Sequence, residues 1–158
     1  MKKLSESIWS DIQDRSSGDE MREEDKFNPE YFDFGKDTTV YWASESLEIN
    51  GRKDFHFNEI KNYNENGWRL PTIEEVGQID WHKAKNNIIF YSGVWKINVL
   101  GNVFKLKTNF RRLFMWTCEE DKSNRHNAIA YGFHDAYDFY VDSFDKNNGF
   151  CVFLVKDK

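Results

Sequence analysis

The run Gly67-Trp68-Arg69-Leu70-Pro71-Thr72-Ile73-Glu74-Glu75-Val76 constrains the fold more than any other part of this 158-residue chain. It stops one element and starts another. Asn66-Gly67 reads as the close of a preceding helix, because glycine accepts the left-handed backbone of a C-terminal cap. Trp68 and Leu70, separated by Arg69, plug a core from a short extended piece, and Pro71 biases Leu70 toward extended geometry. Thr72 followed three residues later by Glu75 is a capping box, in which each side chain satisfies an amide of the other residue.

Around this junction the periodicity is helical first and strand-like afterwards. Phe57, Ile60 and Tyr63 share one face of a helix predicted over about residues 55–64. A second helix is predicted after Thr72, although Gly77 weakens it by about 1 kcal/mol relative to alanine. Thr38 to Ala43 is β-branched and aromatic, which predicts a strand. From Ile88 the period is two. Strands are predicted over 88–91, 94–99 and 103–107, with Gly101-Asn102 as a hairpin turn. In the last of these Lys105 and Lys107 alternate with Phe104 and Leu106, which predicts a basic solvent-facing side. Phe114–Cys118, Asn127–Phe133 and Tyr137–Val141 extend an antiparallel meander. After a turn over 145–149, residues 150–155 read as an apolar strand buried on both faces. Two short helices packed on twisted antiparallel sheets make an α+β domain.

The chain has room for one such domain. Six Trp, seven Tyr and fourteen Phe rule out a disordered polypeptide. The domain is expected over 37–158, preceded by an arm over 1–36. In the arm, Leu4, Ile8 and Ile12 mark an amphipathic helix, and Phe27, Tyr31, Phe32 and Phe34 dot an acidic extended stretch. This arm is expected to wrap the domain, or to anchor it to a partner or a second copy; in the anchoring case, deleting 1–34 leaves the fold intact. No apolar run is long enough for a membrane helix, and Leu4 to Asp11 is too polar for a secretory core. The expected location is cytoplasmic, or a virion or cell surface if the protein is assembled or exported by another route.

The net charge of −5 conceals a strong segregation. Residues 81–115 contain no acid and seven bases (Lys83, Lys85, Lys96, Lys105, Lys107, Arg111 and Arg112). The segments on either side are acidic. Such a block fits an anionic partner, or an acidic surface of the same molecule.

Four stretches occur in an order that carries a resemblance: Trp68-Arg69-Leu70-Pro71-Thr72-x-x-Glu75, Met115-Trp116-Thr117-Cys118-Glu119, Ala128-Ile129-Ala130-Tyr131 and Gly149-Phe150-Cys151-Val152-Phe153-Leu154-Val155-Lys156-Asp157. From about residue 37 onward the chain resembles the bacterial C-type-lectin-like domains of the Fibrobacter succinogenes major paralogous domain group. Phe153-Leu154 departs from that pattern, which has Arg-Cys there, and residues 81–112 look like an insertion or a divergent hairpin. The resemblance implies a C-type-lectin-like fold with its ends in one sheet, and a domain that binds rather than catalyses. It extends distantly to the formylglycine-generating enzymes, which share the Arg-Leu-Pro-Thr-x-x-Glu helix start and use a reactive cysteine pair. The arm is loosely similar to leader segments of phage-borne or mobile-element proteins.

Candidate chemistry follows from the residue types. Exposed Tyr131, His134, Tyr137 and Tyr140, with Asp135 nearby and Trp95 on the basic block, suit saccharide stacking or a protein contact. The plainer alternative is a sheet whose second face is covered by the arm. Glu119, Glu120 and Asp121, with Asn124 and Asn127, are the candidate calcium ligands. The Glu-Pro-Asn and Trp-Asn-Asp signatures of calcium lectins are missing, so no cofactor is expected there. The four histidines lack zinc-ligand spacing. Cys118 and Cys151 sit in apolar strand patterns, where burial quiets a thiol. Nucleic-acid binding would draw on the basic block with Trp95 and Phe110 as stacking platforms. The reading is a non-catalytic recognition module for a glycan or protein. Its alternatives are an enzyme of the formylglycine-generating type and binding of nucleic acid or another anionic partner through residues 81–115.

Overall fold

The last apolar stretch of the chain runs through the middle of the molecule, as a computed structural model of residues 28–81, 88–91, 93–107, 112–134 and 138–158 shows. The elements are β1 (Tyr31–Phe32), β2 (Val40–Ala43), α1 (Phe57–Ile60), β3 (Asn64–Glu65), β4 (Trp68–Arg69), α2 (Ile73–Gly77), β5 (Ile88–Tyr91), β6 (Val94–Val99), β7 (Asn102–Lys107), β8 (Leu113–Glu120), β9 (Asn127–His134), β10 (Asp138–Asp145) and β11 (Val155–Asp157). They form a five-stranded sheet in the order β1-β2-β11-β4-β3, a three-stranded sheet β10-β9-β8 and a three-stranded ribbon β5-β6-β7. All the strand pairs within these sheets are antiparallel. With two short helices, this is the α+β class.

Residues 151–155 are all buried, and they alternate between two cores. Cys151, Phe153 and Val155 belong to one cluster, which takes Trp42, Trp95, Ile97, Phe104 and Tyr131 from the sheets around it. Val152 and Leu154 belong to the other, with Leu47, Phe55, Phe57, Trp68 and Trp116. Successive side chains of an extended segment point to opposite faces, so a segment apolar on both must separate two packed layers. The strand expected over 150–155 keeps ladder pairing only from Val155, where β11 begins, with isolated bridges at Phe150 and Cys151. Its backbone is satisfied from both edges: the amides of Ala43 and Leu47 donate to the carbonyls of Leu154 and Val152 at 3.0 and 2.8 Å, and that of Trp116 to Cys151 at 3.1 Å.

Three two-residue turns share one conformation. Asn50-Gly51, Asn66-Gly67 and Leu100-Gly101 all have positive φ at both residues, as a type I′ hairpin requires. Asn66-Gly67 therefore joins β3 to β4 and does not cap a helix. The helix predicted over 55–64 shrinks to the single turn α1, because Phe55 is extended and exchanges backbone hydrogen bonds with Phe150 at 2.9 and 3.1 Å. The β6–β7 turn also sits one residue earlier than predicted, with Asn102 already paired to Val99. Gly132 has a different reason to be glycine. A Cβ there would lie 1.9 Å from the carbonyl oxygen of Leu113, so β8 and β9 approach closely only without it.

The expected domain boundary at 36/37 runs through packed structure. Tyr31 and Phe32 pair with Ala43 and Trp42 in the five-stranded sheet. Phe34 is buried and stacks on Phe104 with ring centroids 5.0 Å apart. Lys158 reaches back to the Gly35 carbonyl and the Thr38 hydroxyl at 2.8 and 3.1 Å. Residues 28–36 are thus part of the domain, and the expectation that a deletion of 1–34 spares the fold is corrected accordingly. The helix predicted over 4–14 lies outside the described residues. Phe34→Ala should cost about 3 kcal/mol and Phe153→Ala about 4 kcal/mol of unfolding free energy. Urea titrations of the full chain should show both as lower midpoints with unchanged slopes; a Phe34→Ala midpoint equal to wild type would mean the arm is only draped over the surface.

Candidate functional site

The tryptophan-to-glutamate motif builds a scaffold. Trp68 and Leu70 are fully buried. Between them Arg69 turns outward and grips Glu75 through two parallel hydrogen bonds of 2.8 and 2.7 Å, while Nη2 also donates to Asp157 at 2.7 Å. Glu75 Oε1 accepts from the Thr72 amide at 2.9 Å, and Thr72 Oγ1 accepts from the Glu75 amide at 3.1 Å. The capping box is therefore present, and it is tied through Arg69 to the C-terminal strand. Burial raises the Glu75 carboxyl, but the Arg69 fork and the Thr72 amide outweigh it and hold the group below the usual glutamate range. The Pro71 carbonyl accepts from the Cys118 amide at 2.9 Å. That contact falls where the β8–β9 register shifts between Trp116 and Glu120. Trp116 is buried, and its indole N–H donates to the Phe55 carbonyl at 2.8 Å.

The aromatic hairpin faces inward more than its sequence suggested. Tyr131 is fully buried, with its ring near Trp42 and Trp81, and Phe139 stacks on Trp81 at 5.4 Å and 7°. Tyr131 is thus a core residue and not a ligand-stacking one. Trp95 is only 2% exposed and packs in the same cluster, so it too is withdrawn from the candidate binding surface. Both point inward because their strands turn one face to the shared core. Tyr140 faces outward at 44% exposure. His134 ends β9 opposite Asp138, and Asp135 and Tyr137 lie outside the described residues.

The acidic loop is occupied by its own neighbours. Glu119 accepts from the Ile73 amide at the start of α2. Glu120 pairs with Lys146 at 2.9 Å and with Lys61 at 3.4 Å. Asp121 is held down to about 2 by the Ser123 and Ser143 hydroxyls. Among the described residues no group of three His, Cys, Asp or Glu could hold a metal ion. Nor do the thiols pair: Cys151 lies in one core and Cys118 packs against the other. Burial pushes both up, with Glu119 adding to the effect at Cys118 and Asp54 at Cys151, so neither environment activates a nucleophile.

The basic block gathers on one surface. Along β7, Phe104 and Leu106 are buried while Lys105 and Lys107 are exposed, and Lys96 on β6 stands opposite Lys105. With Val94 these lysines line one wall of a cleft of about 460 Å³. The other wall is Glu45, Ser46, Glu48 and Lys53, where Lys53 and Glu48 pair at 3.7 Å. The two walls are joined through the backbone: Glu45 bridges Lys105 in parallel, and the Lys105 amide donates to the Ser44 carbonyl at 3.4 Å. Lys83, Lys85, Phe110 and Arg111 lie outside the described residues. The second wall was missed in the sequence. Its local signal is Ile49-Asn50-Gly51-Arg52, a two-residue turn that doubles the loop back, but nothing local says the loop will meet β7. The cleft is the candidate binding site.

Compared with protein-family profiles, characterised proteins and solved structures, the chain matches none of them. Among the described residues no helix is long and apolar enough to cross a membrane.

The lowered Glu75 pKa makes stability pH-dependent with a definite sign. The contribution is present above the ordinary glutamate range and is lost as pH falls through the lowered folded value. Glu75→Gln should cost about 2 kcal/mol at neutral pH. The gap from wild type should close on acidification, and denaturation curves showing a pH-independent gap would disprove the ionic role.

Proposed function

We propose that this chain is a non-catalytic recognition domain of C-type-lectin-like architecture, binding a glycan or a protein on the face that carries the cleft. The observation that carries the reading is the cleft itself. It is a concavity in the size range of ligand sites, lined by charged side chains and lying outside both packed cores. The architectural part is supported by β1 and β11 lying in one sheet, by the short helix α2 starting at Thr72, and by the second antiparallel sheet. Binding without turnover is supported by the two quiet thiols and by the engagement of Glu119, Glu120 and Asp121 within the protein.

Two measurements test it. A glycan array probed with the full chain should show a discrete set of retained glycans, recovered with unchanged mass; a cleaved or modified glycan would overturn the non-catalytic reading. Titration with an aromatic disulfide reagent should find both thiols far slower than free cysteine in the native protein and normal after unfolding. A fast native thiol would instead support chemistry of the formylglycine-generating type.

A further inference from the structure

We propose that the cleft between residues 44–53 and the β6–β7 ribbon binds a small oligoanion. The ligand class is a sugar-like frame bearing hydroxyls and at least two carboxylate, sulfate or phosphate groups. This rests on the recognition-domain reading above and names the ligand chemistry of the same site.

The lysine geometry is the first argument. Lys96 and Lys105 are register partners across antiparallel strands, which brings their Cβ atoms to about 5 Å. Lys107 lies two residues further along the same face, about 7 Å away. Like charges directly opposite one another in a sheet destabilise it. Among the described residues no carboxylate pairs with any of the three, whereas Arg52, Lys61, Arg69, Lys146 and Lys158 each reach one. A ligand with anionic groups 5–7 Å apart would relieve that repulsion by charge-assisted hydrogen bonds. The platform is also preorganised, because Phe104 and Leu106 anchor β7 in the core and the Glu45–Lys105 bridge holds the opposite wall in place.

The second wall selects among anions. Glu45 and Ser46 can accept hydrogen bonds from hydroxyl groups, and Ser46 can donate one. Two carboxylates beside the lysines repel a long uniform polyanion such as a nucleic-acid backbone. Nucleic acid would also need exposed rings for its bases, and Trp95 turns its ring into the core. The volume of about 460 Å³ fits a small molecule.

Calorimetric titration of the full chain tests the assignment. The probes are a sulfated disaccharide, a galacturonate trisaccharide, inositol hexakisphosphate, inorganic phosphate, a neutral disaccharide and a ten-nucleotide oligothymidylate. The expected result is saturable binding of one stoichiometric equivalent of an acidic saccharide or a sugar-like phosphate, weakening as salt rises. The saccharide and phosphate arms separate the two sources of the shared chemistry. Lys96→Ala and Lys105→Ala should each weaken binding about tenfold, with thermal melts at or above that of wild type, while Lys122→Ala, in the β8–β9 connection and outside the cleft lining, should change nothing. Oligothymidylate or inorganic phosphate binding as tightly as the sugar acids would overturn the proposal, as would binding indifferent to the lysine variants. A neutral glycan bound equally by wild type and variants would remove this inference and leave the recognition domain standing. Binding of none of the probes, together with an empty glycan array, would remove both.

Discussion

Every layer of this molecule is organised by one stretch of backbone, residues 151–155, whose side chains are divided between two cores. Cys151, Phe153 and Val155 fill one side, and Val152 and Leu154 the other. An apolar stretch of that kind cannot lie at a surface, because exposing either face returns apolar side chains to water at roughly 25 cal/mol per Å². The rest of the chain is arranged around it. β2 and β4 both pair with it at Val155, Leu47 takes its middle at Val152, Phe55 pairs with Phe150 just before it, and β8 joins at Cys151.

The Arg69 cluster secures this arrangement at its exposed rim. One guanidinium joins the helix-start glutamate to Asp157 on β11, which continues the stretch that divides the cores. The bidentate fork is geometrically demanding, and its neighbours satisfy the remaining acceptors, which distinguishes it from an ordinary surface ion pair. Lys158 does similar work for the arm: its bonds to Asp33, Gly35 and Thr38 hold the described start of the chain against its end. The scaffold is thus closed on itself, and the cleft lies between the β6–β7 ribbon and a loop tied to it by the Glu45–Lys105 bridge.

Parts of the fold were legible because they rest on local rules. The Thr72–Glu75 capping box, the strands of the β5–β7 ribbon, the alternation of Lys105 and Lys107 with Phe104 and Leu106, and the burial of 151–155 on both faces all follow from spacing alone. Asn66-Gly67 misled because positive φ serves a helix cap and a hairpin equally, and only the pairing of Asn64 with Arg69 distinguishes them. Residues 28–36 read as polar arm because their few aromatics are scattered. The burial of Phe34 among them depends on Phe104, seventy residues away.

For the candidate site the division is sharper. Composition and period alone determined that this chain would carry a basic sheet face, since alternating lysines on a strand with an apolar opposite face have nowhere to go but solvent. Tertiary structure decided which aromatics that face and its neighbour would offer. Tyr131 and Trp95 carry polar groups that suit a binding surface, yet both went into the core, because a strand's pattern does not say which of its faces a second layer will cover. It also decided that the loop over 44–53 would close a cleft against Lys105, an encounter between segments about sixty residues apart that no local spacing encodes.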